Sequence, residues 1–307
     1  MLPQLDGDTF LSDGGLETDL IFNHGIDLPE FASFDLLKDA EGVAALRSYY
    51  EPYIELARER GMGFIYETPT WRASPRWGEV IGYSLSDLAA ANRAAVALGE
   101  ELRAEAGDVP IVISGNIGPE GDGYSPETLM SAEKAQEYHS WQIGVFADAG
   151  VDMVNAMTMT YPDEAIGVIR AAGGASLPVS IAFTVETDGH LPNGLSLEEA
   201  IAEAEQATDG SAAYFMVNCA HPTHFDSVAG DLSDSVRDRI RGIRANASTR
   251  SHAELDEATE LDDGDPQDLA ERYVSIREDL PNLTVLGGCC GTDLRHVRAI
   301  SEAWAAA

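Results

Sequence analysis

The 307-residue sequence predicts an α/β fold, a (β/α)8 barrel in a single domain spanning residues 1–307. Three observations carry this expectation. Short apolar runs of β type occur eight times, separated by longer segments of helical period. No Pro/Ser-rich linker or low-complexity block divides the chain. The residues best suited to chemistry fall at or just after the ends of the β runs, where such barrels carry their sites.

The candidate strands are residues 9–12, 64–67, 111–114, 153–156, 179–183, 214–218, 243–246 and 284–286. Amphipathic stretches between them include residues 85–106, 132–149, 164–172 and 197–208, with Asp163 and Ser196 as expected N-caps. Residues 305–307 read as a short tail. The alternative architecture is an open doubly wound sheet. It is disfavoured as a dinucleotide fold because no G-x-G-x-x-G follows the first strand, and Gly14-Gly15 alone does not make one. On the barrel reading Asp13, Glu67, Asn116, Met157, Cys219, Asn246, Cys289 and Cys290 gather at one mouth.

Hydrophobic residues make up 44% and charged residues 23%, enough for a real core. No run approaches the roughly 18 apolar residues of a membrane span. The start, MLPQLDGDTF, has neither a basic nor an apolar signal region, so a cytoplasmic location is expected. Lys+Arg total 19 against 53 Asp+Glu, a formal net charge of −34. Such a field repels phosphate backbones and anionic membranes, so neither nucleic acid nor membrane is an expected partner. The acids are dispersed and Lys38 and Lys134 are the only lysines, a pattern expected of a halophilic protein in a salt-rich cytoplasm.

Three cysteines cannot build a disulfide framework. Cys219 ends the apolar run YFMVNC, and Cys289 and Cys290 end LTVLGGCCG. A closed barrel brings these ends to the same mouth, and Gly287, Gly288 and Gly291 permit the tight backbone that aims two neighbouring sulfurs at one ion. Three thiolates with an open fourth position are a zinc donor set suited to a thiol guest, whose proton the ion removes near neutral pH. The alternatives are three packed structural cysteines, or a closed, non-catalytic site in which His221 or His224 supplies the fourth ligand.

At these residues the chain resembles the homocysteine S-methyltransferase family over nearly its whole length. The resemblance is carried by SDGGLET (12–18), TPTWRAS (68–74), SGNIGPEGDGY (114–124), VNCAHP (217–222), RANAS (244–248) and GGCCGT (287–292). It implies a (β/α)8 barrel, zinc on Cys219, Cys289 and Cys290, and methyl transfer from a small activated donor to the thiol of homocysteine, giving methionine. It places homocysteine's amino and carboxylate groups at Asp13, Gly14, Gly15 and Leu16, with Asn246 as a further contact or a loop brace. The expected donors are S-methylmethionine, S-adenosylmethionine or a betaine, with Glu67 and Trp71 as donor contacts and an aromatic face for a methylated cation. Tyr124, Tyr138 and His139 are weaker candidates. The chain departs from the family at one point. Where many members carry Glu-Thr after strand four, and that Glu holds the ammonium, this sequence has Met157-Thr158. Asp13 alone, or Glu186 nearby, then holds the ammonium, or the acceptor is a different thiol or selenol. The sequence leaves the oligomeric state open.

Overall fold

Eight parallel strands pair in sequence order, and the last pairs with the first to close the barrel. The computed structural model describes residues 2–124 and 129–307. The strands are β1 (Phe10–Leu11), β2 (Gly63–Glu67), β3 (Ile111–Ile117), β4 (Met153–Met159), β5 (Val179–Phe183), β6 (Tyr214–Asn218), β7 (Ile240–Ala245) and β8 (Val285–Gly288). Every expected strand is present, but three bounds differ in ways that matter. β3 and β4 run three residues further, so Asn116 and Met157 sit inside strands and not after them. β7 begins at Ile240, three residues early. Arg241 and Gly242 hide its start, because Gly242 replaces a side chain where Met216 of β6 packs within 2.6 Å of the position a Cβ would take.

Strand side chains alternate between two apolar clusters, as a period of two requires. Phe64 and Tyr66, Ile111 and Ile113, and Phe215 and Val217 face the helices in the larger cluster. Ile65, Val112, Met153, Ala182, Tyr214, Met216 and Val285 form a second cluster with Phe10 and Met157, which fills the barrel. Leu2 joins this cluster from the N-terminal segment, and the Gln4 amide beside it donates to the Tyr214 hydroxyl at 3.4 Å.

The amphipathic stretches form helices Leu85–Glu105, Ala132–Ala149, Pro162–Gly174 and Leu197–Ala207. Ser196 caps the last of these with a full capping box, Glu199 returning the bond. Asp163 is not a cap. Extended Tyr161 holds the N-cap position and Pro162 opens the helix, which puts Asp163 in the first turn, where the helix dipole favours an acid. The C-terminal residues are no tail: helix Leu294–Ala306 runs almost to the end. Among the described residues no helix is long and apolar enough to cross a membrane.

Arginines on the outer helices pair with acids, as in Arg47 with Glu101 at 3.1 Å and Arg298 with Glu59 at 2.6 Å. Even if every base takes one acid, the net charge of −34 remains uncompensated. Repulsion of this kind weakens as the Debye length shrinks to about 3 Å at 1 M salt. Thermal melts across a potassium chloride series are therefore expected to rise steeply from the dilute end. A melting temperature independent of salt contradicts this.

Candidate active site

One cavity of about 490 Å³ opens at the C-terminal mouth of the barrel. Asp13, Gly14, Gly15, Leu16, Glu67, Trp71, Asn116, Met157, Asn246, Cys289 and Cys290 all line it. The Cys219, Cys289 and Cys290 sulfurs lie within 4.8 Å of one another just beneath.

Backbone geometry explains this convergence. Cys219 follows β6 in a left-handed conformation, φ 54°, which a Cβ-bearing residue adopts only when its surroundings hold it. Its N–H donates to the Arg244 carbonyl at 2.9 Å, and the Cys289 N–H donates to the Ala245 carbonyl at 2.7 Å. Two consecutive carbonyls of β7 thus hold one cysteine from each flanking strand. Gly291, at φ 76°, turns the chain after Cys290. The sulfurs share their charge. Hydrogen bonds from Cys289 and Cys290 hold the Cys219 thiol well below the ordinary thiol range, and in return Cys219 pushes the Cys289 thiol up to about 12.

Tyr124 covers the sulfurs, its hydroxyl 2.9 Å from Cys219 Sγ and 3.9 Å from Cys290 Sγ. His252 packs against its ring, with centroids 4.4 Å apart and planes tilted by 40°, and donates from Nε2 to the Cys219 carbonyl at 2.7 Å. The Asn246 amide reaches Cys219 Sγ at 3.8 Å while its Oδ1 accepts from the Ser248 N–H at 2.9 Å, so it touches the sulfur site and braces its own loop. The histidines of the closed-site alternative are elsewhere. His221 Nδ1 accepts from the Thr223 N–H, and burial beside His224 pulls its pKa down to about 4. His224 bonds the Thr249 carbonyl at 2.9 Å. Among the described residues neither joins the sulfur cluster.

The loop after β1 is more occupied than the sequence suggests. Asp13 is buried, with Oδ1 accepting from Arg244 Nη1 at 2.6 Å and Oδ2 from the Tyr49 hydroxyl at 3.1 Å. Arg244 also donates to the carbonyls of Gly288 (3.0 Å) and Gly14 (3.1 Å). Its planar fork thus ties β7 to the loop after β1 and to the end of β8. The Gly15 N–H donates to the Thr292 carbonyl at 2.9 Å, so it is not the free donor expected for a substrate carboxylate.

Met157 packs in the barrel interior. Asn155, two residues earlier, links it to β2: the amide donates to Glu67 Oε1 at 2.8 Å and lies 3.7 Å from Met157 Sδ. Glu67 is buried, its Oε2 has no hydrogen-bond partner among the described residues, and burial raises its pKa to about 7. Glu186 does not line the cavity; its carboxylate lies 3.6 Å from His252 Nδ1, behind the ring. Trp71 lines the cavity beside the Met157 cluster, with the Arg72 guanidinium 4.4 Å from its ring centroid. Tyr138 bonds Ser74 and His139 bonds Glu164, both away from the cavity.

Sequence reasoning missed Arg244, Glu17, Arg72 and His252 as wall residues. Arg244 and Arg72 stand within the family-like runs, but nothing in their spacing distinguishes them from surface arginines.

The fold and site define a class, a parallel (β/α)8 barrel with three cysteines converging at the mouth of an acidic cavity. The family model for homocysteine S-methyltransferase matches residues 10–304, and the chain belongs to that family. Rat (Rattus norvegicus) betaine–homocysteine S-methyltransferase 1 is 26% identical over 191 residues, covering 57% of this chain and 45% of that protein. The match thus spans less than half of that relative's length. The homocysteine methyltransferase MmuM from Escherichia coli, in its metallated form, superimposes with a TM-score of 0.74 at 19% identity over 98% of both chains. Its apo form gives 0.67 at 18% identity over 97% of both. At such identities the likeness is one of fold.

Breaking the buried Asp13–Arg244 pair leaves an uncompensated charge, which typically costs about 3–5 kcal/mol. Arg244→Ala is expected to lose stability in that range by urea unfolding at constant high salt. A loss below about 1 kcal/mol rules out the tie described here.

Proposed function

We propose that the chain is a zinc-dependent S-methyltransferase that moves a methyl group from a small activated donor to homocysteine, giving methionine. The observation that carries this reading is the convergence of three sulfurs, without a histidine, beneath a cavity large enough for small substrates. Three cysteine sulfurs suit zinc and leave its fourth position to a guest. Bound by Cys219, Cys289 and Cys290, zinc supplies the Lewis acidity that keeps a coordinating thiol deprotonated near neutral pH.

The chain's own residues then position both substrates. The homocysteine sulfur forms a bond to the donor's methyl carbon, and the breaking bond's electron pair leaves with the donor's nitrogen or sulfur. Tyr124 and His252 cover the sulfurs and restrict water. The cavity wall carries Glu17, Glu30, Asp122, Asp256, Glu260 and Asp262, a negative field that draws in a cationic methyl donor. Asp13, already engaged by Arg244 and Tyr49, positions its loop, leaving Gly14 and Leu16 as backbone contacts for the acceptor. We read Glu67 as the group that accepts from the homocysteine ammonium. Its unpartnered Oε2 and its link through Asn155 to Met157 support this role over the donor contact expected from sequence. Met157 also supports a second reading, in which the acceptor is a thiol or selenol without an α-amino group.

One zinc per chain is expected. Changing any one of Cys219, Cys289 or Cys290 to Ala should sharply weaken zinc binding and turnover and leave the barrel folded. A triple-Ala variant with stoichiometric zinc and full turnover refutes the site.

The acceptor is decided by kcat/KM for homocysteine against 4-mercaptobutyrate, its counterpart without the amino group. Wild type is expected to prefer homocysteine. Glu67 accepts from the ammonium as a carboxylate, the form present above its pKa of about 7. The preference should therefore hold at pH 8 and fall as pH drops through 7. Glu67→Gln should reduce the preference about tenfold or more at pH 8. A wild-type preference for 4-mercaptobutyrate establishes the second reading.

A further inference from the structure

Two strand ends at the mouth leave their ladders in the same uncommon conformation. Thr158, at φ 61°, and Cys219, at φ 54°, are both left-handed, and Thr158 is the only β-branched residue in that region among those described. A branched Cβ fits poorly there, so its surroundings must hold it. The origin is a bulge. Ala156 pairs with Ile181 and Met159 with Phe183, so Met157 and Thr158 together stand against Ala182 alone. Glycine suits a left-handed bulge position. Here the chain keeps a side chain instead, and a second side chain holds it.

The holder is Asn218, the last residue of β6 and the neighbour of Cys219. β5 lies between β4 and β6, so no ladder bond joins those two strands. The Asn218 side chain joins them. Its Oδ1 accepts from the Thr158 N–H at 2.8 Å, and its Nδ2 donates to the Thr158 hydroxyl at 3.0 Å. A main-chain N–H can only donate, which fixes the end of the amide that faces it. Both residues are buried. The contacts continue to the sulfurs. A Cβ on Gly123 would stand 3.0 Å from Thr158 Cγ2, and the hydroxyl of the next residue, Tyr124, lies 2.9 Å from Cys219 Sγ. Asn218, Thr158, Gly123, Tyr124 and Cys219 thus close a ring of contacts on one side of the cavity.

We propose that Asn218 is a positioning residue: by holding Thr158 in its left-handed turn, it fixes the cavity wall at the end of β4 relative to Cys219. This rests on the methyl-transfer reading above and deepens it. In that reading the acceptor's sulfur goes to the cysteines while the rest of the acceptor lies against the wall that Met157 and Thr158 line. The span between sulfur site and wall is then what the acceptor must match. Cys219 has a support of its own, because the Arg244 carbonyl holds its N–H. Loss of the Asn218 amide therefore frees the end of β4 and leaves the cysteines anchored. With both hydrogen bonds gone, nothing offsets the cost of a left-handed backbone at a branched residue, and the bulge relaxes.

The test is a double-mutant cycle of Asn218→Ala and Thr158→Gly, since glycine takes the left-handed turn without help. Urea unfolding at constant high salt, zinc content and steady-state kinetics are measured for wild type, both single variants and the double variant. Asn218→Ala should lower the urea midpoint and keep the wild-type zinc content. It should raise KM for homocysteine roughly tenfold and change KM for the methyl donor far less. In the Thr158→Gly background the same change should cost markedly less, both in the midpoint and in KM. If Asn218→Ala alone does not fold, the double variant should. Additive effects in the cycle overturn the proposal, as does a double variant that fails to fold. So does a wild-type KM for homocysteine in Asn218→Ala, or an equal rise in KM for both substrates. Loss of zinc from Asn218→Ala also overturns it, since Asn218 would then serve the cysteines alone. The unfolding cycle uses no substrate. A wild-type preference for 4-mercaptobutyrate would thus overturn the acceptor assignment and leave the clamp to be decided by unfolding, with KM compared for that thiol.

Discussion

Strand β7 holds the sulfur site together. Its last two carbonyls, of Arg244 and Ala245, anchor Cys219 on one side and Cys289 on the other. This works only because the barrel is closed and in register, with Asn218 opposite Arg244 and Gly288 opposite Ala245. A slip of one residue would turn every alternate side chain to the other face and separate the sulfurs. The left-handed backbone at Cys219 follows from the same anchoring. Leaving the β6 ladder sharply, its chain points the sulfur at the pair on β8, and the hydrogen bond to β7 holds that strained turn.

The Arg244 side chain extends this control to the other side of the mouth. One guanidinium satisfies the Asp13 carboxylate and the carbonyls of Gly14 and Gly288, three acceptors divided between the loop after β1 and the end of β8. A lysine ammonium has no planar fork to bridge them. Buried in so acidic a chain, Arg244 keeps its charge because Asp13 and Glu67 outweigh the burial that opposes it. Asp13, expected to meet substrate directly, therefore works through Arg244 to fix the loop. Arg72, by contrast, packs against the Trp71 and Trp77 indoles, and its Nε and Nη1 have no hydrogen-bond partner among the described residues.

The barrel was legible because each strand is an apolar run bounded by helical period, a signal made within one segment. The sulfur site was legible for a similar reason. Cysteines at strand ends with flanking glycines mark a mouth wherever the barrel closes, and the family-like runs surround them. Arg244, Arg72 and Glu67 were legible only as residue types. Their roles depend on partners distant in sequence, Asp13 across 231 positions and Asn155 across 88. The start of β7 was hidden for the opposite reason: Gly242 is small because Met216 needs the room, and its lack of a side chain breaks the apolar pattern. Asp163 misled because an acid before a helix resembles a cap, whereas Pro162 had already opened the helix one residue earlier.

Met157 and Glu67 make sense as one choice. Asn155 spans them, bonding one Glu67 oxygen and touching the Met157 sulfur. A second carboxylate at position 157 would share this small, buried volume with Glu67. Like charges in such a place do not both ionise, and one of the two would hold its proton through neutral pH. A protonated acid is a poor partner for an ammonium and leaves the pocket with one working charge in either case. With methionine at 157 the single charge rests on β2, where Asn155 orients one oxygen and the other is buried without a hydrogen-bond partner among the described residues. The substitution that takes the ammonium site away from β4 is thus consistent with moving it across the mouth to Glu67. In this reading the apolar residue on β4 is a condition for the acid on β2 to stay ionised.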